Sequence, residues 1–534
     1  MCDLVCDGSL WYYIGKIAEF CSVEGYNMRK NLLRICCVLL ALLMMFALVA
    51  CNDNSDNNDP VTPPDDGQLV TPPTPQPPQE TEEERAEREL AERYAAYEPF
   101  LSEMLPAIRV TTSQENASYF THSYSSYDYD WQYIDCKVSV DNCADEELRD
   151  QLAAQIKVRG NYTSTYDKKP FRIKLKKKSN LLGLNNGAEC KSWVLLAEYK
   201  DASFMRNAVS MYLAKKILDT DGYYSSDYRY VSLYVNGNYE GMYGLAEQQQ
   251  INKNRINITE ANEGYQGTDI GYFMEYDGYY YNEKDTEAFL MNYYGTSSVG
   301  TSGITIKSDV YSVEQRDFAK KYLENVYKIM YSAVKKQKYY EFNDDYSGLV
   351  TTDLTDSKQV IEKAVDVQSL VDMYILQEIA CDPDAGWSSF FFDVDFSENG
   401  DKILRFQAPW DFDSAYGHKK GFVEDGKGEY IRRCSNPWLT VLAETDWFQA
   451  MVRAKWRELV RFGVTDKALQ YIDSVSSLYA VQFEQNYNLW HNIGVNIGDE
   501  LIDKVTTFRT QKDAADYLKN WLQTRFEFLN LIWN

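Results

Sequence analysis

Two acidic positions frame one stretch of the chain, CDPDAGWSSFFFDVDFSENGDKILRFQAPWDFDSAYGH, which runs from Cys381 to His418. Asp384 lies in a short acidic loop, and Asp411 forms an Asp-Phe-Asp turn with Asp413. Between them come a mainly aromatic run (Ser389 to Val394), a Ser-Glu-Asn-Gly-Asp turn and a second run (Ile403 to Trp410). Two short runs joined by a turn containing Gly predict a β-hairpin, whose pairing brings its open ends, and the acid at each, close in space. Carboxylates so placed suit phosphoryl transfer: one orients the incoming hydroxyl and accepts its proton, and others hold a divalent metal on the phosphates. A lone Asp at a strand end also has a structural use, bonding nearby backbone N–H groups. Two acidic loops across one hairpin favour chemistry.

A second hairpin is basic. Ile156 to Gly160 alternates in polarity, Asn161 to Lys169 is a polar turn, and Pro170 to Leu175 alternates again. A Lys on such a strand, beside a polar turn, suits the phosphates of a nucleotide; the plain alternative is a solvated strand face carrying Arg172 and Lys174. Protein kinases place a catalytic loop and a metal-binding turn on either side of a hairpin in the same order, with Asp384 in the first place here and Asp411 in the second.

The totals narrow the classes. At 534 residues the chain holds roughly two to four domains' worth of core. Its 45% hydrophobic and 25% charged residues are those of a globular protein. A net charge of −25 argues against nucleic acid as a partner. The three histidines (His122, His418, His491) are scattered and no Cys-x-x-Cys pair occurs, which argues against a zinc protease or a His-based nucleophilic enzyme. A glycosidase would need two facing acids, a spacing that nothing in the sequence favours. The 43 tyrosines are expected to be half-buried in strands and interfaces. Beyond Cys51, the cysteines Cys136, Cys143, Cys190, Cys381 and Cys434 are odd in number, so at least one thiol stays free; Cys136 and Cys143 are the nearest pair for a disulfide.

Residues 1–27 read as an over-long gene start before Met28. Residues 28–51 have the layout of a secretory signal, and Leu48-Val49-Ala50-Cys51 resembles the bacterial lipobox, whose Cys is lipidated. The Pro-, Asp- and Asn-rich residues 52–80 read as a disordered tether. Residues 81–106 read as a charged spacer helix with a thin stripe of Leu90, Tyr94 and Tyr97. From 107 to 257 the chain is sheet-rich, with a helix from Asp201 to Leu218 and a hairpin turn at Asn236-Gly237. From 258 to 534 it is mostly helical, over Glu314 to Gln337, Ser357 to Cys381, Asp446 to Phe462, Asp466 to Asn486 and Asp513 to Leu531. This is an α+β plan of two lobes with a cleft between them.

Six pieces in order resemble the spore-coat protein H (CotH) kinase family. They are Val158 to Asn161, Lys169 to Leu175, Leu181 to Gly183, Trp193 to Leu196 with Met205-Arg206-Asn207, Leu233 to Gly237 with Gly241 to Glu247, and Pro409 to Asp413. The resemblance covers roughly residues 107–530. It implies an atypical protein-kinase-like fold with a sheet-rich N-lobe and a mostly helical C-lobe, using ATP and Mg²⁺ or Mn²⁺ to phosphorylate Ser or Thr on extracytoplasmic proteins. Lys174 or Lys169 would hold the phosphates, Asp384 would be the base, and Asp411 with Asp413 would hold the metal. Arg159 and the turn from Asn161 to Ser164 would cover the nucleotide, and Glu198 or Glu247 would pair with the Lys. The chain departs from the pattern at Ser389, where kinases offer an Asn to a second metal; Asp382 would substitute there, or be the base itself. The expected protein is thus lipid-anchored to the bacterial cell membrane and acts on protein acceptors. A non-catalytic surface protein that keeps the fold is the alternative.

Overall fold

The computed structural model describes residues 80–113, 131–296 and 302–534. The gene start, the signal, Cys51 and most of the tether lie outside them. Thr81 caps α1 (Glu82–Ala96) with a reciprocal bond to Glu84, the capping box that its Thr-x-x-Glu sequence allows. Seven strands follow: β1 (Ala107–Thr111), β2 (Ile134–Asp141), β3 (Arg149–Val158), β4 (Phe171–Ser179), β5 (Cys190–Leu196), β6 (Tyr228–Val235) and β7 (Asn238–Glu247). They close into a barrel in the order β1-β2-β3-β4-β5-β7-β6, sealed by parallel pairing of β1 with β6. Alternation dictates its filling: Ile108, Val138, Ile156, Ile173, Trp193 and Leu245 point inward and are fully buried. The predicted Asn236-Gly237 turn joins β6 to β7 with positive φ at both residues, the geometry that this dipeptide tolerates best.

Between β5 and β6 the chain leaves the barrel for α2 (Arg206–Ile217), which joins a second, larger core with the C-terminal half. That half contains β8 (Gly271–Asp277), β9 (Ala288–Phe289), β10 (Gly303–Ile306), α3 (Val313–Lys335), β11 (Tyr340–Phe342), β12 (Leu349–Thr351), α4 (Ser357–Glu362) and α5 (Val367–Ala380). It ends with β13 (Phe390–Asp395), β14 (Arg405–Phe406), α6 (Pro437–Thr440), α7 (Asp446–Arg461), α8 (Val464–Leu478), α9 (Ala480–Trp490) and α10 (Gln511–Trp533). The hairpin expected around the acids is there, with Phe392 opposite Phe406 and Asp393 opposite Arg405. It extends a five-stranded sheet, β14-β13-β8-β10-β9.

Several expectations give way to local chemistry. The single helix expected over Ser357 to Cys381 is two, because the Asp366 carboxylate accepts the Ser369 N–H and starts α5 afresh. The helix expected over Asp466 to Asn486 breaks at Tyr479, which caps both α8 and α9. Cys136 and Cys143 are not bonded; the described cysteines are free thiols, and Cys136 is buried in the barrel wall. The expected spacer helix is docked instead. Tyr94 stacks on Phe462 with ring centres 4.5 Å apart, its hydroxyl donates to Glu458 at 2.6 Å, and Lys216 donates to the Tyr94 carbonyl at 2.6 Å. Tyrosines such as Tyr230, Tyr243, Tyr272 and Tyr322 are fully buried, more deeply than expected.

The expected helix from Asp201 begins only at Arg206, but Asp201 governs that start. Its carboxylate accepts the backbone N–H groups of Ser203, Met205 and Arg206, each at 2.9 Å, and pairs with the Arg206 guanidinium. Arg206 Nε also donates to the Ala415 carbonyl at 3.1 Å, so one buried ion pair ties α2 to the segment just past Asp413. Removing one partner leaves a buried charge uncompensated. Asp201→Ala is therefore expected to lose about 3–5 kcal/mol in chemical denaturation. The exposed pair of Lys519 with Asp473, at 2.6 Å, is expected to contribute far less when broken the same way.

Candidate active site

A cleft of about 1000 Å³ opens between the end of the barrel and the helical half. The barrel side contributes Arg159, Asn161, Arg172, Glu198 and Lys200; the other side contributes Asp384, Ser389, Trp410, Asp411 and Asp413. The acids arrive there by different routes. α5 ends at Cys381 in a left-handed conformation, which turns the chain into the tight turn Pro383–Gly386. Asp382 caps that turn, accepting the Asp384 N–H at 3.1 Å, and leaves its other carboxylate oxygen buried without a partner. Of the two acids expected as base, Asp384 lines the cleft and Asp382 is buried behind it.

At the other end of the hairpin, Asn207 holds the Asp411-Phe412-Asp413 turn. Its side-chain oxygen accepts the Phe412 N–H at 2.7 Å, while its amide donates to Glu198 at 3.0 Å. The Asp413 carbonyl accepts from His418 Nδ1 at 2.8 Å. Lys200, itself buried, lies 3.7 Å from Asp413 and 2.5 Å from Glu500, and donates to Ser414 at 2.7 Å. Four non-glycine residues of the cleft, Glu198, Ser389, Asp411 and Val423, hold positive φ of 49°, 60°, 68° and 44°. Such strain persists only where the surroundings enforce it.

The electrostatics show what gathering these acids entails. Burial, then Asp413 and Asp384, push the Asp411 carboxyl up to about 7, with Arg159 opposing. Asp384 is also raised, by burial first, while Lys200 pulls it down and Asp413 pushes it up. Burial works against the charge on Lys200, but the carboxylates of Asp413, Asp384 and Glu500 outweigh it and keep the ammonium protonated. Carboxylates drawn close together and partly out of water thus hold protons more tightly than they would in solution.

The remaining candidates divide by position. Arg159 lies over Trp410 at 5.7 Å from the ring centre, beside Asn161 at the cleft wall. Gly160 between them has φ +92°, and a Cβ there would meet Thr163 Oγ1 at 2.1 Å. Lys169 does not reach the cleft: it is buried, donating at 2.9 Å to the Ser164 carbonyl, and so braces the Asn161 to Ser164 turn from inside. Lys174 does not reach it either. It lies exposed on the outer face of β4, two residues beyond Arg172, which is the strand cation at the cleft. Glu247 is buried elsewhere against Arg255 at 3.1 Å and Asn185 at 2.8 Å. Glu198 lines the cleft with Asn207 and the Tyr228 hydroxyl, not a Lys, as its hydrogen-bond donors, and burial pushes it up to about 8. Ser389 lines the cleft as well, with its N–H given to Glu275 at 2.9 Å; Glu275 in turn pairs with Lys307 at 2.8 Å.

Sequence reasoning missed Lys200, Glu275, Lys307 and the bridging role of Asn207. Asn207 carried a signal in the Met-Arg-Asn piece, and Lys200 in its place next to Asp201, whereas Glu275 and Lys307 sit on β8 and just past β10 with nothing local to mark them. Among the described residues no three His, Cys, Asp or Glu side chains enclose a metal by themselves. A hard cation here would complete its shell from phosphate oxygens and water, as Mg²⁺ commonly does.

A family model described as CotH kinase protein matches residues 156–529, more than half of the chain. No curated protein gives a significant match. The matched span begins in β3, runs through the cleft and ends in α10, so it takes in every cleft residue named above. The chain belongs to the CotH kinase protein family.

Proposed function

We propose that the chain is an ATP-dependent phosphotransferase of the atypical protein kinase type, acting on Ser or Thr hydroxyls of extracytoplasmic proteins from a lipid anchor at Cys51. The observation that carries this reading is the meeting of Asp384, Asp411 and Asp413 with Arg159, Arg172 and Lys200 in one cleft. On this reading the barrel and the helical half are the two lobes, and the nucleotide lies between them. Asp384 accepts the proton of the attacking hydroxyl. Arg159, Arg172 and Lys200 counter the charge that spreads over the transferring phosphoryl group.

The residues fit a divalent cation, Mg²⁺ or Mn²⁺, because Asp411 is destabilised as an anion by burial and then by its acidic neighbours, and a nearby cation would relieve it. Asp411 and Asp413 would hold it, and it would supply neutralisation of the phosphate oxygens. Glu198, through Asn207, keeps the Asp411 turn in place.

Incubation of the full chain with labelled ATP, Mg²⁺ or Mn²⁺ and a generic acceptor protein is expected to transfer label to Ser or Thr. Asp384→Ala and Asp411→Ala are each expected to reduce transfer by about 10²-fold or more. No transfer together with no metal-dependent ATP binding would leave a non-catalytic surface protein as the better reading.

A second expectation concerns the metal-free protein. Asp411 and Glu198 have folded-state values raised to about 7 and about 8, above their ordinary 3.8 and 4.5, so in this range the folded state binds more protons than the unfolded one. Stability is then fullest below their ordinary values and is lost as pH rises through the raised ones. Burial holds His418 down at about 3 from 6.5, which costs stability only below pH 6.5 and leaves the higher window undisturbed. The melting temperature of the metal-free protein is expected to fall between about pH 6.5 and 8.5. Mg²⁺ with nucleotide is expected to restore it at the upper end, and Asp411→Asn to flatten the slope; a melting temperature independent of all three would refute this account of the charge.

A further inference from the structure

Along the outer wall of the barrel, cations gather in a chain that is otherwise acidic, with 80 Asp and Glu against 55 Lys and Arg. The outward residues of β2, β3 and β4 include Lys137, Lys157, Arg172, Lys174 and Lys176, with Asp135 among them. Register sets them side by side: Arg172 stands opposite Lys157, Lys174 opposite Gln155, and Lys137 opposite Ala153, whose neighbour Ala154 is opposite Leu175. Asp135 pairs with Lys176 at 3.3 Å, and among the described residues no acid pairs with Lys174.

Fold stability does not call for this arrangement. Like charges directly opposite one another weaken a ladder, and Lys is a poor strand former. Lysines often guard exposed sheet edges, but β4 lies between β3 and β5 in a closed barrel, which has no edge to guard. The ridge is also continuous with the cleft, because Arg172 belongs to both. From Arg172 to Lys176 the strand covers about 13 Å, the reach of about four extended residues.

We propose that this ridge is a docking surface for acidic segments of a protein acceptor, holding Asp or Glu side chains a few residues from the Ser or Thr presented to Asp384. The acceptor role rests on the phosphotransfer reading above; binding of acidic segments does not.

The test uses the full chain and three fluorescent peptides of one length around a single Ser: one flanked by Asp and Glu, one by Asn and Gln, one by Lys. Binding is read by anisotropy at low and moderate salt, and transfer from ATP is read in parallel. The acidic peptide is expected to bind in preference to the neutral one, with affinity that falls as salt rises. Lys137→Glu with Lys176→Glu is expected to weaken it about tenfold, raising KM more than it lowers kcat, and to improve binding of the Lys peptide. Both side chains are exposed on the barrel wall, and an unchanged melting temperature would confirm that the double variant folds. Equal binding of acidic and neutral peptides, or no effect of the double variant, would overturn the proposal. So would stronger binding to polyphosphate or to vesicles of anionic lipid than to the acidic peptide. Selective binding with no transfer to any peptide would uphold the ridge and overturn the phosphotransfer reading instead.

Discussion

Mutual repulsion among Asp384, Asp411 and Asp413 is the force against which the cleft is built. Each is brought out of bulk water, where like charges repel more strongly and lose hydration. What keeps them together is covalent and geometric. The left-handed end of α5 and the Asp382 cap present Asp384. The pairing of β13 with β14 returns the chain to the same place, and Asn207 clamps the turn that carries Asp411. Lys200 supplies the near counter-charge, held between Asp413 and Glu500.

Adjacent residues of one short motif divide this labour. In Met205-Arg206-Asn207, the first is buried in the helical core, the second makes the ion pair with Asp201 and reaches the Ala415 carbonyl, and the third bridges Glu198 to the Asp411 turn. The start of α2 is thus fastened on both sides of the acidic turn. A shift of that helix would be felt at Asp411 directly, which ties the stability of the core to the geometry of the cleft. The basic strand is divided in the same manner: its inward residues Phe171, Ile173 and Leu175 fill the barrel, while Arg172 faces the cleft.

Much of this was legible in the sequence because it rests on short-range rules. The hairpin between the acids, the Asn-Gly turn, the alternation of β3 and β4, and the order of sheet-rich and helical halves all follow from periodicities of two and 3.6 residues and from turn residues. The placement of Asp384 beside Asp411 and Asp413 follows from one hairpin and that of Arg159 beside Asn161 from another; that the two sets share one cleft does not. The breaks at Lys363 to Asp366 and at Tyr479 were obscured because apolar spacing continues across them while a cap or a local turn decides the end.

The sequence by itself determined which residues bear charge, which strands pair with their neighbours in the chain, and where acids must stand at the ends of a hairpin. Only the tertiary structure decided which cation meets them. Lys169 and Lys174 look equivalent to Arg172 in the sequence, yet one is turned inward to brace a loop and the other is carried along the strand away from the cleft. Lys200, Glu198 and Asn207 meet the acids across about two hundred residues of chain, and Glu247 is claimed by Arg255. Contacts at such separations are set by how the barrel closes and how the helical core packs against it. Those are long-range matters of shape and burial, and no local spacing encodes them.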